Sequence, residues 1–126
     1  MPRKSFTAAG ATAVGPYSHA VEAGELIFLS GQTPMDSATG KLAEGDIAAQ
    51  TEQVFKNLFN VLAAAGLTEA DVVKANVFLT DMGNFAAMNA VYATKFSAPY
   101  PARSTIAVAG LPLGAQVEIE LIARKG

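Results

Sequence analysis

The sequence predicts an α+β domain in which two amphipathic helices cover one face of a mainly antiparallel sheet. Three observations carry that prediction. Apolar residues recur every three or four positions in two windows, around residues 47–65 and 84–96, as on one face of a helix. Elsewhere they alternate with polar residues or form short runs bounded by turn formers, as strands do. The resulting order of strand, strand, helix, strand, helix, strand, strand places both helices on a single sheet face. No repeat or linker divides the 126 residues, so residues 1–126 read as one domain. A chain of that length buries roughly two-thirds of its unfolded surface around one core.

His19 to Val21 and Leu26 to Ser30 read as two strands joined by the turn Glu22-Ala23-Gly24-Glu25, a hairpin. The next stretch, residues 31–45, carries Pro34, Asp36, Ser37, Gly40 and Gly45 and reads as a loop. Asp46 can cap a helix whose buried stripe is Ile47, Thr51, Val54, Leu58, Val61, Leu62 and Ala65, stopped by Gly66. Thr68, Glu69 and Asp71 suggest a short capped turn, after which Val73, Ala75, Val77 and Leu79 alternate as in a strand. The second helix, about residues 84–96, has the stripe Phe85, Met88, Tyr92 and Phe96, and Pro99 and Pro101 end it. Arg103 to Val108 and Gln116 to Ala123 are the closing strands, and their short Gly- and Pro-containing linker predicts antiparallel neighbours. Two helices leave one sheet face uncovered, which predicts self-association with sites in clefts between subunits.

Composition narrows the function. Only 16% of residues are charged, against about 25% in a typical soluble domain, and the shortage favours a homo-oligomer. The net charge is −2 and no run of Lys or Arg exceeds two residues, so the electrostatic footprint of nucleic-acid binding is missing. With no Cys and one His, the chain offers no disulfide framework, zinc finger, thiol nucleophile or metal cluster. No apolar run approaches the ~20 residues needed to cross a bilayer, and no signal-peptide pattern is present. A cytoplasmic protein is expected.

The residue types that can carry chemistry are few. Arg103 sits on a predicted strand, which holds its planar fork rigidly enough for bidentate, charge-assisted binding of a carboxylate. A structural salt bridge to Glu118, Glu120 or another acid is the other reading of the same residue. Period-two alternation puts Glu118 and Glu120 on one strand face, away from Val117, Ile119 and Leu121. Facing a cleft, one of them could deprotonate a water; facing solvent, both merely solubilise, and spacing does not choose between them. His19 after Ser18 raises a Ser-His dyad, but adjacent strand residues point to opposite faces and share a hydrogen bond poorly. Tyr17 is either a pocket lid or a core-anchored loop aromatic. Ser30-Gly31-Gln32 either exposes a backbone N–H to a ligand or marks a bulge. Asn76 and Asn89, polar within apolar segments, read as structural hydrogen bonders.

Taken together, these residues resemble a known family. Gly15-Pro16-Tyr17-Ser18, Leu29-Ser30-Gly31-Gln32, the run Val73 to Leu79, Pro101-Ala102-Arg103-Ser104 and Val117-Glu118-Ile119-Glu120 are similar, in this order, to the motifs of the RidA/YjgF reactive-intermediate deaminases. The resemblance implies a chorismate-mutase-like α+β fold, a homotrimer with intersubunit sites, and no cofactor or metal. It implies hydrolysis of 2-aminoacrylate, 2-iminobutyrate and similar enamines or imines to 2-keto acids and ammonia. By position it makes Arg103 the carboxylate grip and Glu118 the holder of the attacking water, with Glu120 structural. Tyr17 and Ser30 would line the pocket, the backbone at Gly31 and Thr105 would contact the substrate, and Asn89 would lie at its edge. Thr105 stands where some members have Cys, which removes any essential thiol, and His19 stands where Gln is frequent. A non-catalytic module that binds small carboxylates is the rival expectation, because it needs the same fork. Ribonuclease activity, ascribed to some family members, is disfavoured by the charge and the lone His19, and chorismate mutase by the motifs.

Overall fold

The computed structural model describes residues 2–9 and 15–126. In chain order the strands and helices are β1 (Lys4–Phe6), β2 (Ala20–Ala23), β3 (Leu26–Gln32), β4 (Met35–Asp36), β5 (Lys41–Leu42), α1 (Ile47–Ala64), β6 (Val72–Leu79), α2 (Phe85–Tyr92), β7 (Ala102–Ala107) and β8 (Val117–Arg124). The main sheet has six strands in the order β1-β2-β3-β8-β6-β7, antiparallel except for the parallel pair β6 and β7.

Most of the predicted elements are present with shifted ends. The β2–β3 hairpin forms, but its strands run on to the Ala23–Leu26 pair, so the turn is only Gly24-Glu25. Asp46 caps α1 as expected, its carboxylate accepting from the Ala49 N–H at 2.9 Å. At the other end the Gly66 N–H reaches the Ala63 carbonyl and the Leu67 N–H the Leu62 carbonyl, with Gly66 at φ +76°. These two bonds satisfy carbonyls that a helix end would otherwise leave without a partner. The Asp71 carboxylate accepts from the Thr68 N–H at 2.9 Å and secures the turn into β6.

Four expectations are corrected. Residues 31–45 are not only loop, since β4 and β5 pair as a small hairpin. β1 adds an edge strand that the sequence did not announce. The regular part of α2 ends at Tyr92 instead of residue 96, because the chain tightens into i→i+3 bonds from Thr94 to Val91 and from Lys95 to Tyr92. Most consequentially, the two closing strands are not neighbours. α2 is a crossover that returns β7 parallel to β6 at the sheet edge, while β8 inserts between β3 and β6. The linker, residues 108–116, steps over β6, a distance of two strand spacings or about 10 Å. β8 takes the centre because Val117, Ile119, Leu121 and Ala123 form an inward face that is wholly buried.

The core lies between that face and the helices. Ile47, Val54, Phe55, Leu58, Val61 and Leu62 of α1 are buried against Ile27 and Leu29 of β3, Val77 and Leu79 of β6, and the inward face of β8. Phe55, Tyr92 and Phe96 bring their rings together at centroid distances of 5.0–5.9 Å and join α1 to α2. The register puts Val21, Phe28, Ile122, Phe78 and Ile106 on the opposite face together with Glu118, Glu120 and Asn76. Phe28 and Ile106 are 43% and 49% exposed there, so this face is apolar and open.

Candidate functional site

Arg103 is the second residue of β7, where pairing with Ala75 turns its side chain toward the helix-covered side of the sheet. There α2 receives it. The Arg103 Nη1 donates to Asn89 Oδ1 at 2.7 Å, and the guanidinium carbon stands 4.5 Å from the Tyr92 ring centroid and 5.6 Å from that of Phe85. Phe85, Asn89 and Tyr92 occupy i, i+4 and i+7 of one helix face, so the three contacts come from a single stripe. Among the described residues Arg103 forms no salt bridge. The structural ion pair to Glu118 or Glu120 does not form, and a guanidinium with five donors keeps most of them for a ligand. Thr105, two residues further along the same strand face, has a buried hydroxyl with no partner among the described residues, as does Tyr92. Burial raises the Tyr92 phenol above its ordinary range, and the Arg103 charge opposes that rise.

Glu118 lies on the other face, paired in register with Phe78. Its neighbour across β3 is Gly31, where a Cβ would stand 2.6 Å from Glu118 Oε2. Only a glycine leaves room for the carboxylate at that spot. The same segment is bulged: Leu29 pairs with Leu121 and Gln32 with Ile119, so β3 spends one more residue than β8 between the two pairs. Ser30-Gly31-Gln32 is thus a bulge, and the group that approaches its glycine closely is the Glu118 carboxylate. Partial burial raises the Glu118 carboxyl above the usual carboxylate range, with the charge of Glu120 adding to the rise. Glu120 is itself engaged by Asn76 Nδ2 at 3.1 Å.

Ser30 donates its hydroxyl to the Ser18 carbonyl at 2.6 Å, which fastens the segment bearing Tyr17 beside the bulge. Tyr17 is 44% exposed, so it is not the core-anchored aromatic of the alternative reading. His19 is 4% exposed and its Nδ1 accepts from the Ala8 N–H at 3.1 Å, which occupies the imidazole structurally and leaves no Ser18-His19 dyad. The candidate residues therefore fall into two groups, Arg103 with Asn89 and, on the same strand face, Thr105, and Glu118 with Gly31, next to which the Ser30–Ser18 bond holds the segment that bears Tyr17. A single chain does not bring the two groups together, because Arg103 shares a face with Ala75 and Leu121 while Glu118 shares the other with Phe78 and Ile106. The sequence marks Phe85 and Tyr92 as core stripe only. Their spacing around Asn89 was the signal that they also face Arg103.

A small α+β domain of this strand order, with a strand-borne arginine on one face and a glycine-backed glutamate on the other, defines the class. The chain belongs to the YjgF/RidA family, whose model, described as endoribonuclease L-PSP, matches residues 7–125. It is similar to protein DfrA of Myxococcus xanthus, with 51% identity over 113 residues, covering 88% of this chain and 86% of that one. It is also similar to a 2-iminobutanoate/2-iminopropanoate deaminase of Capra hircus, with 44% identity over 120 residues, 95% of this chain and 88% of the relative. Among solved structures, the yeast protein YEO7 superposes with a TM-score of 0.94 at 45% identity, covering 99% of this chain and 100% of that one.

Proposed function

We propose that this protein is a hydrolytic deaminase that converts 2-aminoacrylate- and 2-iminobutanoate-type enamines and imines to 2-keto acids and ammonia. The observation that carries the reading is Arg103: a fork mounted on a strand, held by Asn89 and two rings, with no salt bridge among the described residues to neutralise it. Such a group is prepared for a ligand's carboxylate. The deaminase among its relatives supports the chemistry.

Arg103 takes the carboxylate and so fixes the imine carbon, and Glu118 holds a water against it. Water attacks the carbon while Glu118 accepts one proton. With the imine nitrogen protonated at the start, Glu118 returns that proton to the amine of the adduct. As the C–N bond breaks, the adduct's hydroxyl proton passes to Glu118 and on to solvent, so ketone, ammonia and one proton are released. Orientation and general acid-base catalysis of this kind contribute about 10²–10⁴-fold for the proton transfer. A carboxyl raised above its ordinary range holds a proton more readily, which suits a group that must both accept and return one. Because Arg103 and Glu118 leave one chain on opposite faces, the working site combines Arg103 of one copy with Glu118 of another, and a homotrimer closed around the open apolar faces supplies three such sites. The buried His19, its Nδ1 occupied, supports this chemistry over nucleolytic cleavage.

The test follows imine loss in the presence of a threonine or serine dehydratase that generates it. Wild-type protein should accelerate the loss. Arg103→Ala and Arg103→Lys should both abolish the effect with the fold intact by circular dichroism, the ammonium of Lys being unable to reproduce the fork. Unimpaired turnover by either variant sinks the proposal, and carboxylate binding by wild type without acceleration points instead to a binding module.

A further inference from the structure

Resting on the reading of Arg103 as a carboxylate grip, we propose that Tyr92 and Phe85 are positioning residues whose rings aim the Arg103 fork and make the site select a carboxylate over its neutral amide. An arginine side chain has many rotamers, and Asn89 restrains only one of its nitrogens, at Nη1. The remaining restraint comes from the rings at 4.5 and 5.6 Å. The Tyr92 ring cannot drift, because it is buried and packs on Phe55 at 5.8 Å and on Phe96 at 5.0 Å. Core packing between α1 and α2 is thereby transmitted to the guanidinium. A cation against an aromatic face is attracted electrostatically, and more strongly where water is excluded. The Tyr92 hydroxyl takes no part, since it is buried with no partner among the described residues. The ring, and not its polar tip, performs the positioning.

A fork held this way offers parallel N–H donors to a group with two acceptor oxygens. An amide, which presents one acceptor and a donor NH₂, leaves one N–H facing another donor. Discrimination between the two ligands therefore reports the aim of the fork, whereas general loosening of the fold weakens both alike.

The experiment measures, by calorimetry, binding of 2-oxobutanoate and of 2-oxobutanamide to the assembled wild-type protein, Tyr92→Leu, Tyr92→Phe and Phe85→Leu, with imine turnover in parallel. Wild type should prefer the acid. Tyr92→Leu should lose about tenfold of that preference, with amide binding little changed and the turnover defect mainly in KM. Tyr92→Phe should restore the preference. Phe85→Leu, on the half-buried rim, should show a smaller loss in the same direction and carries the test should Tyr92→Leu fail to fold. Equal weakening of both ligands, an unchanged preference in Phe85→Leu together with Tyr92→Leu, or a Tyr92→Phe variant as defective as Tyr92→Leu overturns the proposal. Wild type that binds the acid without turning over the imine overturns the deaminase reading while the binding series still decides the role of the rings. Wild type that shows no preference for the acid overturns both.

Discussion

At the scale of single residues, the contact between Gly31 and Glu118 sets how the carboxylate can behave. A methyl group at position 31 would overlap Glu118 Oε2, so Gly31→Ala must displace the acid. A shift of about 1 Å in a catalytic group costs about 10²-fold, and a loss of that order in kcat, with the fold retained by circular dichroism, is expected for this variant. The Glu118 carboxyl is raised first by burial and then by Glu120, so the acid limb of the turnover profile should follow Glu118. Glu120→Gln removes the like charge and keeps an acceptor for Asn76, and a kcat–pH series should show the limb moving to lower pH. A raised carboxyl also has a consequence for stability. The folded chain holds that proton more tightly than the unfolded one, so the favourable contribution is complete below the unfolded value of about 4.3 and is lost as pH rises through the folded value. Glu118→Gln should accordingly melt above wild type at pH 7, with the gap closing toward pH 4, while its turnover falls. Both residues were legible in the sequence as candidates. Their surroundings were not, because strand parity gives a side chain's face without saying what stands opposite it.

At the scale of elements, α1 was the most legible, since its cap, stripe and stop are all local in sequence. Leu58 is fully buried at its centre, and Leu58→Ala should cost about 2–5 kcal/mol in urea unfolding. Gly66, in the left-handed region at the end of α1, should resist substitution: Gly66→Ala should lower stability by about 1 kcal/mol despite open space around it. Strand pairing was the least legible. The short linker after β7 suggested a hairpin with β8, yet α2 had already committed β7 to lie parallel beside β6. Which strand takes the centre depends on burial summed over the whole sheet, and Val117, Ile119 and Leu121 outweigh the half-exposed residues of β7. The second role of α2, its stripe of Phe85, Asn89 and Tyr92 beneath Arg103, escaped notice because core and site use the same helical spacing.

At the scale of the whole molecule, the apolar open face and the division of the candidate residues between two faces belong together. Copies that cover Phe28, Phe78 and Ile106 for one another also bring Glu118 near a neighbour's Arg103 under the proposed arrangement. Co-expressing Arg103→Ala with Glu118→Gln tests this directly. Neither variant has a working site alone, but in a mixed trimer the intact Arg103 of one chain meets the intact Glu118 of the other. Random mixing should restore about a quarter of wild-type turnover. No recovery would overturn the shared site. The sequence predicted an uncovered face from its helix count, but it gave no sign that Arg103 and Glu118 diverge, since that follows from the register of three strands. Under the proposed arrangement the divergence leaves the isolated polypeptide incomplete as a catalyst. Turnover per chain should then be a steep function of concentration, falling away on dilution once subunits part, so mass action would set a threshold of abundance below which the protein is present but idle.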